Sequence, residues 1–300
     1  MIKSSIPVSI IPDTQFPCSI GEKGILRLTC TSKKNFDKIK NIEGGRAFNV
    51  ILGDVSIEID GLDCEKVKEI ANTCLKDNNI LKFNVKGLAR HAAYPEGGEN
   101  ALCKASKYLC DNNYVSGNDY EILNGFSELF TDNYGTGFGI NKTDAFDKLT
   151  CANGIIKTEN GKLTFSMDIR YGNESTVEGM IESIRNMVDK WGFEVNAESV
   201  EDDPGFLIDE NSALTQGVLS AYKEITGNTS AKPFKSSGGT YARKLKNAYS
   251  VGTTTFATKK PEMPVGHGDI HQSDECISID DLIDGISIIA GMLKNIDSNL

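Results

Sequence analysis

Two of the three histidines in this 300-residue sequence, His267 and His271, lie four residues apart in the stretch GHGDIHQSDE. Imidazoles are common ligands of divalent metals, and residues at this spacing share one face of a helix. Glycines at 266 and 268 disfavour a helix, and glycine 268 stands where a metalloprotease HExxH helix carries its glutamate. The pattern favours a loop in which His271 is the candidate ligand and His267 lies away from the site. A hydrogen-bonded loop histidine is the alternative.

Two further segments contain a side chain that could bind a metal or take part in catalysis, next to prolines or a turn. In PDTQFP, residues 12–17, Asp13 lies between two prolines, whose fixed φ restricts the chain on either side. In RHAAYPEGGENA, residues 90–101, His91 ends a strand-like run and precedes a turn that leads into a helix. Asp13 is a candidate carboxylate ligand, with a turn-forming aspartate as the alternative. An ordinary strand-to-helix loop is the alternative for the His91 segment.

The elements that must position these residues follow a repeated pattern. Between residues 24 and 202, two sets of strand, strand, helix and strand flank a pair of helices, predicted from about 98 to 113 and 118 to 131. In the first set we expect a strand at RAFNVIL and a helix at CEKVKEIANTCLKDN. In the second, Asn160-Gly161 predicts a hairpin. The pattern is typical of two α+β sandwiches in which helices cover an antiparallel sheet.

After Pro204 the pattern changes to a helix, a strand at NAYSVGTTTF and a final helix, which is typical of the last unit of an α/β layer domain. We therefore predict an α/β (α+β) chain with three segments. Residues 1–22 and 206–300 belong to one α/β domain, and residues 23–205 form the inserted pair of sandwiches.

Composition excludes several classes of partner. The net charge is −10, from 32 basic and 42 acidic residues, without a basic cluster, so neither nucleic acid nor an anionic membrane is an expected partner. The longest apolar run, residues 288–293, is too short to span a bilayer, and the N-terminus lacks a signal-peptide pattern, so we expect a cytoplasmic protein. The eight cysteines are scattered without a CxxC, which favours buried free thiols over a disulfide framework or a zinc site made of cysteines.

Four stretches in order resemble motifs of the di-zinc exopeptidase family that includes carboxypeptidase G, aminoacylase and carnosinase, metallopeptidase family twenty, and most closely its bacterial cytosolic dipeptidase branch. They are PDTQFP with GEKG, NVKGLARHAAYPEGGENA, DIRYG, and SSGGTYARKL followed by IHQSDE. The resemblance implies the C-terminal part of a zinc-peptidase α/β catalytic domain, with a large lid of two ferredoxin-like units at 23–205. The substrate it implies is a dipeptide.

The resemblance also implies roles for the residues that can act on a scissile amide. Two Zn²⁺ ions, or Mn²⁺ or Co²⁺, would activate a water molecule, with Asp13 as a ligand of one ion and His271 as a ligand of the other. His91 would reach from the lid to stabilise the developing oxyanion.

Four more positions match residues that bind substrate in this family. Asn49 and Arg170 would contact the polar groups and the free carboxylate of the substrate, because the planar guanidinium suits a bidentate contact. Gly238 and Gly239 would offer backbone at close range, as only a residue without a Cβ can. Without the resemblance, Asn49 would be interpreted as a local hydrogen-bonding residue, Arg170 as a solvent-exposed strand residue, and Gly238 and Gly239 as a simple turn.

The family's remaining ligands and its general base have no match in these 300 residues. No histidine precedes His91, and no Glu-Glu pair occurs. We therefore expect an N-terminally truncated dipeptidase that is inactive alone, either as an interrupted gene product or as a piece that needs an N-terminal partner polypeptide. A noncatalytic remnant that serves as an oligomerisation or peptide-binding module is one alternative. An N-acyl amino acid amidohydrolase is another, although the long lid segment favours the dipeptidase.

Overall fold

The structure, a computed structural model, describes residues 8–254, 262–263, 268 and 274–299. It divides into two compact units, Met1–Lys23 with Gly205–Leu300 (unit 1) and Gly24–Pro204 (unit 2). None of the helices in the described part of the chain has the length and apolar character that crossing a bilayer requires. The mixed α/β class predicted from the sequence is confirmed.

The described strands are β1 (Ser9–Gln15), β2 (Ser19–Glu22), β3 (Gly24–Ser32), β4 (Ile39–Gly44), β5 (Asp54–Asp60), β6 (Ala71–Asp77), β7 (Ile80–Lys86), β8 (Thr143–Asp144), β9 (Asp147–Lys148), β10 (Thr150–Ala152), β11 (Ile156–Glu159), β12 (Lys162–Tyr171), β13 (Phe193–Val195), β14 (Glu201–Asp203), β15 (Phe206–Leu207), β16 (Phe234–Ser236) and β17 (Ala248–Thr254). The α-helices are α1 (Cys64–Val67), α2 (Ala101–Asp111), α3 (Gly117–Leu129), α4 (Val177–Lys190), α5 (Ala213–Thr226) and α6 (Ile279–Asn299). Short 3₁₀ helices span Thr136–Phe138, Ala197–Ser199 and Tyr241–Lys244.

Unit 2 is built on one ten-stranded antiparallel sheet in the order β13-β3-β12-β11-β4-β5-β7-β6, with β10 also on β12 and β14 also on β3. Alternation along β3 buries Leu26, Leu28 and Cys30 against the helices and turns Arg27 to the opposite face. The strands of the two predicted sets therefore lie in one continuous sheet, joined where β11 pairs with β4.

The Asn-Gly prediction is confirmed. Asn160 and Gly161 have φ of 50° and 78° and close the β11–β12 hairpin, in which Glu159 pairs with Lys162. Two consecutive residues with positive φ match the right-handed twist of the strands. This hairpin sets the register of β12, the strand that carries Arg170.

Two sequence-based element predictions are wrong. The segment predicted as a helix from Cys64 forms only the short α1, and β6 follows it as an edge strand paired with β7. Asn72 and Thr73 are poor helix formers, and pairing with β7 outweighs the helical spacing of the apolar residues. The segment RAFNVIL forms turns and a single bridge instead of a strand.

The expectation that the cysteines are free thiols fails for one pair, because Cys64 and Cys74 form a disulfide across α1 and β6. The other six cysteines are free. Burial raises the pKa of the Cys18 thiol from 9.0 to about 12, so little thiolate is available there at neutral pH.

Counting thiols tests this pairing. We expect a thiol-alkylating reagent to modify six cysteines of the denatured chain without reductant and all eight after reduction, as measured by intact mass. In the native chain, exposed Cys276 should react well before buried Cys18, since both burial and the raised pKa slow the latter. Eight modified cysteines without reductant would contradict the pairing.

Unit 1 is a five-stranded sheet in the order β1-β17-β2-β15, with β16 also on β2. β1 and β17 are parallel, and α5 and α6 cover one face of the sheet. Phe16 stacks on Tyr222 at 5.5 Å between ring centroids, and Tyr249, Val251 and Met292 complete this core.

Candidate functional site

In unit 2, a pair of antiparallel segments brings two predicted site residues together. Val50 and His91 form an isolated bridge, and the backbone N–H of Ala92 donates to the Asn49 carbonyl at 2.8 Å. The side-chain amide of Asn49 lies 3.3 Å from Nε2 of His91. Both side chains are half-buried, so each keeps access to solvent.

One contact of His91 favours a particular tautomer of the ring. The backbone N–H of Ala93 donates to His91 Nδ1 at 3.1 Å, so Nδ1 acts as an acceptor. A neutral imidazole carries a single N–H, which must then be on Nε2. The Asn49 atom at 3.3 Å from Nε2 is the amide nitrogen Nδ2, so with Nε2 as the donor the amide must be flipped to present Oδ1. This tautomer directs the ring's donor toward the Asn49 side of the loop.

Gly154 allows the segment that contains Asn49 to pack closely against the chain beside β12. A Cβ on Gly154 would lie 2.1 Å from the carbonyl oxygen of Ala47 and 2.7 Å from that of Val50, so only glycine fits. The N–H groups of Gly154 and Ile155 donate to Ser166 Oγ on β12 at 3.4 and 2.9 Å. The loop that holds Asn49 thus lies on the face of β12 to which Ser166 points.

Arg170 lies on that same face, four residues beyond Ser166, because alternate strand residues share a face. It is 3% exposed, and its Nε and Nη2 contact the two oxygens of buried Asp168 at 2.5 and 3.2 Å. Arg27, opposite Asp168 on β3, contacts the same carboxylate at 3.0 Å. Two guanidinium groups thus share one carboxylate. Asp168 contacts Nε and Nη2 of Arg170 but not Nη1.

In unit 1, Asp13 lies at an irregularity in the sheet. Pro12 pairs with Val251 and Thr14 with Gly252, so the register shifts at Asp13, whose side chain is exposed. Such bulges reorient a side chain and are over-represented next to active sites. The predicted ligand His271 lies outside the described residues, as does His267.

Gly238 and Gly239 precede a buried charged cluster, which we call the Glu22 network: Glu22, Thr240, Arg243 and Ser250. Glu22 is fully buried and accepts hydrogen bonds from the Thr240 N–H at 2.9 Å, the Thr240 hydroxyl, Ser250 Oγ at 3.2 Å and Arg243 Nε at 3.1 Å. The Arg243 side chain is 2% exposed, and its Nη2 also donates to the Lys23 carbonyl at 3.0 Å.

The Glu22 network holds the glycine turn in place. The Gly238 N–H donates to Ser236 Oγ at 3.0 Å. A Cβ on Gly239 would lie 2.5 Å from Arg243 Nη2, so the guanidinium occupies the space that a larger residue needs. The carboxylate of Glu22 thereby anchors the backbone immediately after the two glycines.

Sequence reasoning did not single out Glu22, Arg243, Asp168 or Gly154. Glu22 and Arg243 lie in the motifs GEKG and GGTYAR, which indicated the family resemblance. The sequence did not indicate that these two motifs are in contact. Asp168 precedes Arg170 by two residues, a spacing that places both on one strand face. For Gly154 the sequence offered no signal beyond an Asn-Gly pair.

The described residues do not assemble a site for the divalent metal that the family resemblance implies. Of the two predicted ligands, Asp13 is described and exposed. No group of three or more His, Cys, Asp and Glu residues that could hold an ion occurs within the described ranges. Asp13 alone does not fit a bound metal, which needs several protein ligands.

Comparison with known proteins gives relatives of one kind. Proteins of Staphylococcus aureus named "Putative dipeptidase", from strains USA300 and MRSA252 among others, are 27% identical to this chain over 299 residues. The match covers 92% of this chain and 61% of the relatives, so the chain spans about three fifths of their length.

Solved structures resemble the chain more weakly. A tripeptidase from Staphylococcus aureus has a TM-score of 0.45 and 12% identity, covering 96% of this chain and 57% of that one. Human carnosine dipeptidase 1 has a TM-score of 0.43 and 8% identity, covering 96% and 59%. Scores below 0.5 add nothing to the assignment. The family model described as "Peptidase family M20/M25/M40" matches residues 11–295, almost the whole sequence. The chain belongs to this peptidase family.

Proposed function

We propose that this chain forms the lid and the C-terminal catalytic part of a metal-dependent dipeptidase. The observation that carries the proposal is the contact between Asn49 and His91, on a loop that lies against the Arg170 face of β12. A dipeptide offers a carbonyl at the scissile bond and a free carboxylate at its end. These are the groups that an imidazole N–H and a guanidinium recognise.

In this proposal His91 supplies a hydrogen bond to charge that develops on the carbonyl oxygen during hydrolysis. Its Nδ1 is engaged by the Ala93 N–H, so Nε2–H is the donor available for this role. Asn49, whose amide lies 3.3 Å from Nε2, orients the ring in the substrate-free chain. When substrate binds, its carbonyl oxygen accepts the hydrogen bond from Nε2–H, and the Asn49 amide turns to the polar groups of the substrate.

Arg170 is proposed to receive the carboxylate of the dipeptide. Asp168 accepts from both Arg170 and Arg27, and Nη1 is the nitrogen of Arg170 that Asp168 does not use. We propose that this nitrogen contacts the substrate carboxylate. Such a contact selects substrates with a free C-terminus.

In unit 1, Asp13 and His271 are the proposed metal ligands, and Gly238 and Gly239 the proposed backbone contacts to substrate. Zn²⁺ is the proposed ion, with Mn²⁺ or Co²⁺ as alternatives. We derive no catalytic step through a metal, because the described residues do not assemble its site. We propose that the ligands and the general base that have no match in these 300 residues correspond to residues in the part of the relatives that lies outside the match.

A direct test measures hydrolysis of a dipeptide panel in Zn²⁺ or Mn²⁺. We expect the 300-residue chain alone to show no turnover above buffer, because the matches to the family's base and remaining ligands are absent. We expect turnover when the chain is combined with the part of the Staphylococcus aureus relative outside the match, supplied as a separate polypeptide.

The same assay separates the alternatives. N-acyl amino acids should be poorer substrates than dipeptides, and the reverse order would favour an amidohydrolase. Turnover by these 300 residues alone, lost in His271→Ala, would contradict the need for the residues that lie outside the match. No turnover by the combined polypeptides with any substrate of the panel would contradict the proposed activity.

A further inference from the structure

Tyr94 is a large aromatic residue that unit 2 holds in solvent, three residues beyond His91. It is 60% exposed, whereas Ala93 before it and Pro95 after it are buried. A single exposed apolar residue is ordinary on a protein surface. Tyr94 differs from such residues because the backbone around it is fixed and because its ring lies beside the proposed oxyanion donor.

Hydrogen bonds fix the backbone of the turn that carries Tyr94. The Tyr94 N–H donates to the carbonyl of His91 at 2.9 Å, and the Gly98 N–H donates to the carbonyl of Pro95 at 2.9 Å. A proline also restricts the backbone of the residue before it, which here is Tyr94. The ring is therefore held in solvent by a defined turn, and covering it with a ligand requires little further ordering of the chain.

Apolar packing anchors the same turn next to the strand that carries Arg170. Ala92, fully buried, forms a small core with Ile51 and Ala152. Ala152 lies on β10 opposite Asp168 of β12, which precedes Arg170 by two residues. The turn and the end of β12 that carries Arg170 are thus held together within unit 2.

The ring of Tyr94 lies beside the imidazole of His91, with 6.2 Å between the ring centroids and 37° between the ring planes. In the proposed reaction, Nε2–H of His91 donates to the scissile carbonyl oxygen. The carbonyl carbon is bonded directly to the Cα of the N-terminal residue of the dipeptide. The C-terminal residue lies beyond the amide nitrogen, and its carboxylate is assigned to Arg170. These assignments bring the side chain of the N-terminal residue next to Tyr94.

The exposed ring suits an apolar or aromatic side chain. Covering the ring removes apolar surface of both partners from water, and two aromatic rings gain further from an offset or edge-to-face contact. A glycine in the N-terminal position of the dipeptide offers no side chain for this contact.

We propose that Tyr94 is a specificity-determining residue, whose ring contacts the side chain of the N-terminal residue of the dipeptide and favours aromatic and large apolar side chains there. The inference rests on the proposed function, which places the scissile carbonyl at His91 and the carboxylate at Arg170. It adds a preference among dipeptides that these two contacts do not supply, because every dipeptide carries both groups.

Binding of two isomeric dipeptides tests the inference on the 300-residue chain and does not require turnover. Phenylalanyl-glycine and glycyl-phenylalanine have the same composition and charge but carry the phenyl ring in different residues. NMR titration of the chain with each dipeptide gives its Kd. We expect phenylalanyl-glycine to bind about tenfold more tightly, which is the scale on which pockets discriminate between apolar groups.

Variants at position 94 assign this preference to the ring. Tyr94→Ala should abolish the difference between the two dipeptides, and Tyr94→Phe, which keeps the ring, should retain it. Thermal unfolding of both variants should match that of the unmodified chain, because Tyr94 is largely exposed. Tyr120→Ala, at an exposed aromatic residue of α3, is the matched control and should leave both Kd values unchanged.

Several results would overturn the inference. These are no binding of either dipeptide, equal Kd values in the unmodified chain, and a difference in Kd that survives Tyr94→Ala. Glycyl-glycine is the dipeptide without a side chain. If Tyr94→Ala weakened its binding as much as that of phenylalanyl-glycine, Tyr94 would act on the turn and not on a substrate side chain.

Hydrolysis by the chain combined with the part of the Staphylococcus aureus relative outside the match separates this inference from the proposed activity. Binding that depends on Tyr94, without hydrolysis of either dipeptide, would leave the inference standing and remove the activity. Hydrolysis whose preference for phenylalanyl-glycine is unchanged in Tyr94→Ala would do the opposite.

Discussion

Replacing Glu22 by alanine is expected to lower the free energy of unfolding of unit 1 by about 3–5 kcal/mol, the usual cost of removing one partner from a buried ion pair. Arg243, 2% exposed, would keep its charge without its carboxylate, and the Thr240 N–H would lose its acceptor. Urea unfolding followed by circular dichroism measures the change. Because the substitution can unfold unit 1 entirely, Glu22→Gln, which keeps the hydrogen-bonding shape but not the charge, should give a measurable intermediate loss.

The matched control is Glu65→Ala. Glu65 also pairs with a cation, Lys68, at 2.8 Å, but both side chains are largely exposed, and pairs of this kind contribute little. We expect no measurable change in unfolding for this variant. If Glu22→Ala behaved like Glu65→Ala, the Glu22 network would not hold unit 1 together, and the anchoring of the glycine turn by Glu22 would be wrong.

Replacing His91 by alanine is expected to lower kcat for dipeptide hydrolysis by about 10²–10³, the effect of losing one preorganised donor to the oxyanion. The measurement uses the chain combined with the part of the Staphylococcus aureus relative outside the match, since we expect no turnover from these 300 residues alone. KM should change far less than kcat, because the donor acts on charge that appears only in the transition state.

Asn49→Ala is the informative companion. It removes the residue that contacts Nε2 but leaves the imidazole and its bond from Ala93 in place, so kcat should fall less than in His91→Ala. Tyr120→Ala, at an exposed position on α3, is the control and should leave both constants unchanged. Equal kcat for His91→Ala and the unmodified protein would remove His91 from the proposed chemistry.

Features encoded over a few residues could be predicted from the sequence. The Asn160-Gly161 hairpin is confirmed because its turn chemistry is local. Helices α2, α3, α4, α5 and α6 are found close to where periodicity placed them. The helix expected from Cys64 is not, because β6 gains its hydrogen bonds from β7, which periodicity within the segment does not report.

The sequence identified individual residues of the candidate site but did not predict the contacts between them. Motif matches picked out Asn49 and His91, which the structure brings together, and Arg170, whose pairing with Asp168 they did not reveal. Glu22 and Arg243 are 221 residues apart in the chain, so their ion pair depends on the topology of unit 1. Long-range pairs of this kind follow from the assembled sheet and not from local spacing.

Unit 1 is formed by two separate stretches of the chain, and the positions of their ends allow the two units to be produced separately. Unit 2 begins with β3 and ends near β14, and these strands are antiparallel neighbours, with Ile25 opposite Asp203. In unit 1, Glu22 at the end of β2 likewise lies opposite Phe206 of β15. Adjacent strands are about 4.8 Å apart. Unit 2 is therefore an inserted domain whose first and last strands are neighbours. A short turn that joins Glu22 to Phe206 in its place would make unit 1 a continuous chain.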